Sequence, residues 1–216
     1  MLGEWAQHAQ VYGKDAIGRV FRRKRTELVE LIEAAKMIYL PIGAQWKEVD
    51  KVFIFPNGAR LAFSYLESDD DAISFQGHAY TRVIMEELGT FPDPKPVQKL
   101  MATLRSGAGV PVGFRATGNP GGPGHSWVKE RYIAPHPMGW KIQTDENGLE
   151  RVFIPSLLKD NPKLVANDPG YEARIRASGS AALVKAWLHG DWDAVEGAFF
   201  DCWRRDRHAI KPFTIP

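Results

Sequence analysis

Two adjacent carboxylates, Glu86 and Glu87, follow a short and mostly apolar run at residues 80–85. In an open α/β sheet, ligands bind beyond the carboxyl ends of the strands, so two acids at a strand end predict a site there. One carboxylate can hold Mg²⁺, a hard cation that takes oxygen ligands, and the other can orient a water for attack on a phosphate. Adjacent side chains on a strand point to opposite faces, so this division of roles requires the strand to end between them. Spacing alone leaves open the alternative that both are solvated acids at the start of a loop.

A second polar tip ends the predicted strand 111–117 and reads Thr117-Gly118-Asn119. A threonine hydroxyl and an asparagine amide can both contact a phosphate or an attacking water. If this strand lies beside the strand that ends at Glu86-Glu87, the tripeptide can sense a γ-phosphate. Gly-Asn-Pro also favours turns, so the tripeptide supports a phosphate site only together with the two acids.

Two charged clusters offer further candidates. The basic run 19–25, which contains Arg22 and Arg23, can contact the phosphates of a nucleotide or of DNA, or it can be a solvated strand end. The acidic run Asp69-Asp70-Asp71 can bind a metal, although a solvated acidic loop is more common.

The glycine-rich loop 118–124 is not predicted to cradle a phosphate, because Pro120 and Pro123 each remove a backbone donor. The sequence also contains no Gly-x4-Gly-Lys-Ser/Thr motif. Its nearest approach, Gly13-Lys14, is followed by Asp15.

Hydrophobic periodicity places these residues in an alternation of strands and helices. Residues 16–22 are predicted as a strand and residues 26–38 as a helix, with Thr26 as its N-cap. An Asn-Gly pair between the alternating runs 51–55 and 59–65 predicts a hairpin. The other predicted elements are strands 80–85, 111–117 and 152–154, helices 96–105, 171–177 and 181–189, an acidic loop at 67–71 and a turn at 145–148. This alternation predicts a layered α/β fold, and the hairpin argues against a purely parallel sheet.

Composition sets wide bounds on function. The chain has 216 residues, of which 44% are hydrophobic, enough for one domain or for one domain with a small appendage after about residue 135. Its net charge of +2 is too small to indicate a nucleic-acid partner. The single cysteine, Cys202, excludes an intrachain disulfide and suits a reducing cytoplasm. No apolar run approaches the length that spans a bilayer.

The order of the motifs is informative. It runs through Phe55–Ala59, Phe75–His78, Val83–Leu88, Arg115–Pro120 and Gly122–Lys129, and then through Phe153–Ser156, Asp160–Pro162, Leu188–Asp193 and Gly197–Phe200. This order resembles the large terminase subunit of tailed bacteriophages and prophages. The resemblance covers nearly the whole chain, and Thr117–Lys129 is its most specific stretch.

The resemblance implies a fold. Large terminase subunits join an ATPase of the additional-strand P-loop class, which drives DNA into a procapsid, to a nuclease that uses two metal ions. The expected fold is therefore an incomplete P-loop NTPase, with a layered sheet, a β-hairpin and a small C-terminal lid subdomain. Residues 1–134 would be the ATPase core portion. Residues 135–216 would hold the rest of the ATPase domain, a small lid subdomain of which the residues past Gly190 form part, and the start of a linker to a missing nuclease.

The resemblance also implies roles. Glu86 would be the Walker B acid that positions Mg²⁺ through water, Glu87 the carboxylate that activates water, and Thr117-Gly118-Asn119 the coupling motif. ATP would be the substrate. The implied partners are double-stranded DNA, the small terminase subunit, the portal protein and further copies of the protein in a ring on the portal. The implied location is the host cytoplasm, outside the mature virion.

Three departures from the family pattern carry expectations. The Walker A loop expected before strand 16–22 is absent, Glu86 stands where aspartate is commoner, and residues 208–216 resemble the segment before the first nuclease acid. We therefore expect a fragment, a split gene or a degraded prophage gene, with weak ATP binding and negligible turnover by these residues alone. Loss of a central strand would expose strand edges, so marginal stability or oligomerisation is expected.

Two other functions remain open from the sequence. The basic clusters suit a non-catalytic module that binds DNA or the portal. Asp69, Asp71, Glu86 and Glu87 suit a metal-dependent nuclease, although they lie on different predicted elements.

Overall fold

The structure is a computed structural model that describes residues 1–194 and 205–208. Its contacts divide the chain into two compact units, Met1–Pro135 and His136–Pro216. The boundary lies close to the predicted one, while the roles predicted for the two parts stay predictions. Cys202, the family-like stretch 197–200 and residues 209–216 lie outside the described residues. No helix in the described ranges is both long and apolar enough to cross a bilayer.

The first unit is built on a six-stranded mixed sheet. Its strands are β1 Ile17–Arg22, β2 Gln45–Lys47, β3 Val52–Ile54, β4 Arg60–Tyr65, β5 Arg82–Met85 and β6 Gly113–Ala116, in the order β2-β3-β4-β1-β5-β6. β4, β1, β5 and β6 are mutually parallel. β3 pairs antiparallel with both of its neighbours, β2 and β4. The four parallel strands therefore end at one side of the sheet, here called the carboxyl edge. Within the described ranges, β6 has no strand partner on its outer side.

The hairpin predicted from Asn57-Gly58 is confirmed. β3 and β4 pair antiparallel, with Val52 opposite Ala62. Gly58 has a φ of 87°, which glycine adopts without strain, and Asn57 Oδ1 accepts the Ala59 amide at 3.2 Å. The turn thus fixes the register that sends β4 back beside β1.

Two helices, α1 Leu2–Tyr12 and α2 Leu28–Tyr39, cover one face of this sheet. Their buried side chains form one apolar cluster with those of the strands. Gly18 in β1 makes this packing possible, because a Cβ at that position would lie 2.4 Å from the buried ring of Trp5. Sequence analysis predicted α2 but not α1.

The opposite face is covered by the chain between β4 and β6. Phe21 points away from its neighbour Val20 and contacts Phe75 edge-on, with ring centroids 4.9 Å apart. Phe75 follows α3 Asp69–Ile73, which packs against α4 Lys95–Met101. The sheet is therefore enclosed on both sides, as the predicted layered fold requires.

Three local predictions for the first unit were wrong. The predicted acidic loop 67–71 becomes the start of α3, because Ser68 and Asp71 form a reciprocal capping box. Thr26 does not cap α2, since a 3-10 turn at Arg25–Glu27 precedes the helix and no side chain caps it. α4 ends at Met101 rather than near residue 105.

The second unit contains short elements. A two-stranded hairpin pairs β7 Gln143–Thr144 with β8 Glu150–Arg151, so the strand predicted at 152–154 lies two residues too late. The helices that follow α5 His125–Val128 of the first unit are α6 Pro162–Asn167, α7 Tyr171–Ala177, α8 Ala181–His189 and α9 Arg205–His208. The bounds predicted for α7 and α8 are confirmed.

A buried polar group joins α1 to the sheet at the edge opposite the carboxyl edge. His8 Nε2 lies 2.9 Å from Thr81 Oγ1, which also accepts the Ile17 amide at 3.1 Å. Burial, followed by the nearby Arg82 guanidinium, lowers the pKa of His8 from 6.5 to about 4. The folded protein therefore holds His8 as a neutral imidazole.

This histidine predicts a pH dependence of stability. Below pH 6.5 the unfolded chain binds a proton that folded His8 accepts only near pH 4. The stabilisation is thus complete above pH 6.5 and is lost as the pH falls, by about 3 kcal/mol near pH 4. Urea unfolding at pH 7 and at pH 4.5 should show a smaller loss for His8→Gln than for the wild type. The exposed His78 provides the control: His78→Gln should retain the wild-type loss, and equal losses in all three proteins would contradict the assignment.

Candidate active site

The strand that precedes the two acids, β5, ends just before Glu86, and the two acids leave it in different ways. β5 ends at Met85, and Glu86 continues its ladder by donating its amide to Phe21 O at 2.9 Å. Glu87 then leaves the strand with φ 55° and ψ 56°. The two carboxylates therefore point to different neighbours.

Glu87 meets the second polar tip at the carboxyl edge. Asn119 Nδ2 lies 3.3 and 3.5 Å from the two carboxylate oxygens of Glu87. The Glu87 amide donates to Thr117 Oγ1 at 3.3 Å, and the Leu88 amide donates to Thr117 O at 2.7 Å. The tip of β5 is thus bound to the tip of β6 through both backbone and side chains.

The backbone of Glu87 is in a conformation that non-glycine residues seldom adopt. The left-handed region costs a residue of this kind about 1 kcal/mol or more and persists only where the surroundings enforce it. Here Thr90 enforces it, because its amide and its hydroxyl both donate to Glu87 O, at 2.9 and 2.7 Å. Such strain is common at functional sites.

Glu86 is held by β1. Arg22 Nε donates to Glu86 Oε2 at 2.8 Å, and both side chains are about one-fifth exposed. The next residue, Arg23, donates to the carbonyl of Thr90. The two arginines predicted to contact phosphate are therefore both bonded to the elements that carry the acids.

The glycine-rich loop is anchored to the segment after Glu87. The Gly124 amide donates to Gly89 O at 2.8 Å, and Trp127 Nε1 donates to Phe91 O at 2.7 Å. The Gly121 amide donates to His125 Nδ1 at 2.9 Å. The Gly121 and Gly124 amides are thus used within the protein, and that the loop does not cradle a phosphate stays a prediction.

The remaining predicted clusters behave differently. Lys24 and Arg25 are exposed beside the carboxyl edge. Asp71 Oδ2 accepts the amides of Glu67 and Ser68 at 2.8 and 2.9 Å, which gives this acid a structural role. Within the described part of the chain, no group of three or more acidic, histidine or cysteine residues can hold a metal.

The residues at the carboxyl edge fit a Mg²⁺ ion that the protein and a nucleotide would coordinate together. They do not form a complete coordination shell of protein atoms. Glu86 offers hard carboxylate oxygens at a partly exposed strand end. Mg²⁺ is usually bound through one or two carboxylates, waters and substrate phosphates. A single acid at this position is therefore sufficient if a nucleotide supplies the other oxygens.

Several residues that hold the site were not predicted to do so. Trp127 and His125 anchor the glycine-rich loop. Arg22 pairs with an acid 64 residues away in sequence, so no local pattern indicates the contact. The one available signal was that β1 ends in a charged residue, Arg22, and that a charged residue, Glu86, directly follows β5.

The fold is that of an open α/β protein whose principal strands are parallel. Its carboxyl edge carries two adjacent acids that face a Thr-Gly-Asn strand tip. A sequence profile described as terminase large subunit, T4likevirus-type, N-terminal, matches residues 21–204. The chain therefore belongs to this family of terminase large subunits. No curated protein is significantly similar to it in sequence.

Solved structures show the same fold. The large terminase of a thermophilic bacteriophage, in complex with ADP, matches with a TM-score of 0.64 and 16% identity. Another crystal form of the same phage protein matches with a TM-score of 0.66 and 16% identity. Both matches cover 100% of this chain and 50% of the phage protein, so this chain spans half the length of these structures. The predicted α/β fold is thus confirmed as that of a large terminase.

Proposed function

We propose that this chain carries the hydrolytic edge of an ATP-driven motor that packages phage DNA into procapsids. The contact between Glu87 and the Thr117-Gly118-Asn119 tip carries the proposal. Family membership and the ADP complex of a protein with the same fold support it.

Each residue at the edge has a proposed role. Glu87 accepts a proton from the attacking water, and Asn119 holds its carboxylate in place. Thr117, Gly118 and Asn119 sense whether a γ-phosphate is present. Because backbone bonds tie this tip to β5 and to the glycine-rich loop, a change at the phosphate can move the loop, which would couple hydrolysis to translocation.

Glu86 is the proposed Mg²⁺ residue. When bound, the metal would neutralise charge that develops on the phosphates. The role of the chain is to present one carboxylate beside Glu87 and on a different face, so that binding of the metal and activation of water do not compete for the same acid. Arg22 and Arg23 stay predicted phosphate contacts, although Arg22 is engaged with Glu86 through its Nε.

The proposed partners follow from the motor. They are double-stranded DNA, the small terminase subunit, the portal protein and further copies of the subunit in a ring on the portal, in the cytoplasm of the host and outside the mature virion. The wider protein is proposed to cut DNA as well as to hydrolyse ATP.

A packaging assay tests the proposal. Procapsids, DNA, ATP and the packaging complex containing this protein are combined, and DNA protected from DNase is measured. Glu86→Gln should abolish protection, whereas Asp15→Asn, at an exposed acid on the opposite edge, should leave it at the wild-type level. Full protection with Glu86→Gln would refute the proposed role of that acid.

One observation favours a second function, a non-catalytic module that binds DNA or the portal. Lys24 and Arg25 are exposed side by side, as a phosphate-binding loop requires. If this is the function, Lys24→Gln with Arg25→Gln should weaken DNA binding and reduce its salt dependence, while Glu86→Gln and Glu87→Gln should change neither packaging nor DNA binding.

A further inference from the structure

The ion pair between Arg22 and Glu86 is set by the register of the sheet. Phe21 lies opposite Met85 in the parallel β1–β5 pair. The residues that follow them, Arg22 and Glu86, therefore lie side by side. The Nε–Oε2 distance is 2.8 Å, typical of a charge-assisted hydrogen bond. A second acid, Glu27, lies near the same guanidinium, with Oε2 at 3.7 Å from the Arg22 terminal nitrogen Nη1.

This pairing bears directly on the proposed metal residue. Glu86 Oε2 is already bonded to a cation, and a divalent ion approaching the same carboxylate meets a positive charge beside it. Arginine cannot relieve this conflict by losing a proton, since its pKa is above 12. The positive charge beside the carboxylate therefore opposes the metal, and Glu27 is a nearby acid that can accept the guanidinium if it moves away.

We propose that Arg22 is a positioning residue that acts as the counter-ion of Glu86 in the nucleotide-free protein and competes with the divalent cation for that carboxylate. Nucleotide binding then exchanges one cation for another at Glu86, and the released guanidinium is free to contact a phosphate oxygen. The inference rests on the proposed function for the role of Glu86. It adds a switch in which the negative charge of Glu86 is neutralised in both states, by Arg22 without nucleotide and by the divalent cation with nucleotide.

Binding of Mn²⁺ to the purified chain without nucleotide tests the exchange. Free Mn²⁺ is measured by electron paramagnetic resonance for the wild type, Arg22→Gln, Arg22→Lys and the double variant Arg22→Gln/Glu86→Gln. Arg22→Gln should bind Mn²⁺ about five-fold more tightly than the wild type, because a charge next to the site is removed. Arg22→Lys, which keeps the charge, should stay near the wild type, and the double variant should lose the gain.

Arg25→Gln is the matched control, since it removes the same charge from an exposed position three residues further along the chain. It should change Mn²⁺ affinity less than about two-fold, because exposed charges are screened by salt. Equal gains from Arg22→Gln and Arg25→Gln, or no gain from Arg22→Gln, would overturn the proposal.

A second variant decides the matter if Arg22→Gln does not fold. Glu27→Gln leaves Arg22 with Glu86 as its remaining acid, so Mn²⁺ affinity should fall about two-fold. An unchanged or increased affinity would contradict the exchange. None of these measurements involves ATP, so they can fail while Glu87 still proves essential for hydrolysis, and they can succeed while it does not.

Discussion

Replacing Glu87 with glutamine is expected to lower the turnover number for ATP hydrolysis by about 1000-fold, the usual range for loss of a positioned general base. Glutamine has nearly the same shape and can still accept the amide of Asn119, so the strand ends should stay paired. It cannot take a proton from water. Nucleotide affinity should therefore remain within about two-fold of the wild type, because the lost interaction belongs to the transition state.

The measurement is steady-state ATP hydrolysis by the packaging complex that contains this protein, together with equilibrium nucleotide binding. Asp15→Asn removes a similar charge from the opposite edge and should leave turnover unchanged. If Glu87→Gln retains more than about one-third of the wild-type turnover, Glu87 is not the base.

The second large effect is expected from Gly124→Ala, which should lower the free energy of unfolding by about 3 kcal/mol. A Cβ at this position would lie 2.1 Å from Phe91 O, 2.8 Å from Trp127 Nε1 and 3.0 Å from Gly89 O. Two of these atoms are backbone, so the collision cannot be relieved by a side-chain rotation. The glycine-rich loop would have to leave the segment that follows Glu87.

Chemical denaturation measures this effect, and Gly107→Ala is the matched control. A Cβ at Gly107 would meet no atom within 4 Å, so its free energy of unfolding should change by less than about 0.5 kcal/mol. Because the glycine-rich loop 118–124 also contains Asn119, Gly124→Ala should reduce ATP hydrolysis as well. A stable and fully active Gly124→Ala protein would show that the loop does not need this close packing.

The sequence predicted the elements whose local signals agree with their tertiary environment. The hairpin was predictable because Asn57-Gly58 suits its turn and both flanking runs alternate. α7 and α8 were predictable because residues that favour helix boundaries flank them. Gly170 precedes α7. α8 begins after Ser180, whose hydroxyl accepts the Leu183 amide, and ends before Gly190 in the left-handed region.

Other elements were missed because tertiary contacts decide them. α1 shows a weak helical pattern, and it is held by Trp5 packing against Gly18 and by an ion pair between Glu4 and Arg82. The 3-10 turn before α2 displaces the helix start from Thr26, a shift that propensity does not indicate. The three consecutive aspartates, residues 69–71, are typical of a solvated loop. They lie in a helix because Ser68 caps it.

The candidate site was predictable to the level of the strand tips. Parallel strands end at one edge, so Glu87 and Asn119 were expected to be neighbours once their strands were identified. Their hydrogen bond and the left-handed backbone of Glu87 depend on Thr90 and Thr117, whose roles no spacing rule indicates. The pairing of Arg22 with Glu86 required knowledge that β1 lies beside β5.

A double-mutant cycle at Glu87 and Asn119 tests most directly whether the two strand tips act as one phosphate site. ATP hydrolysis by the packaging complex is measured for the wild type, Glu87→Gln, Asn119→Ala and the double variant. Asn119→Ala should cost much less in the Glu87→Gln background than in the wild type, with an interaction free energy above about 1 kcal/mol. Effects that add to within about 0.3 kcal/mol would mean that the tips work independently and would contradict the shared site.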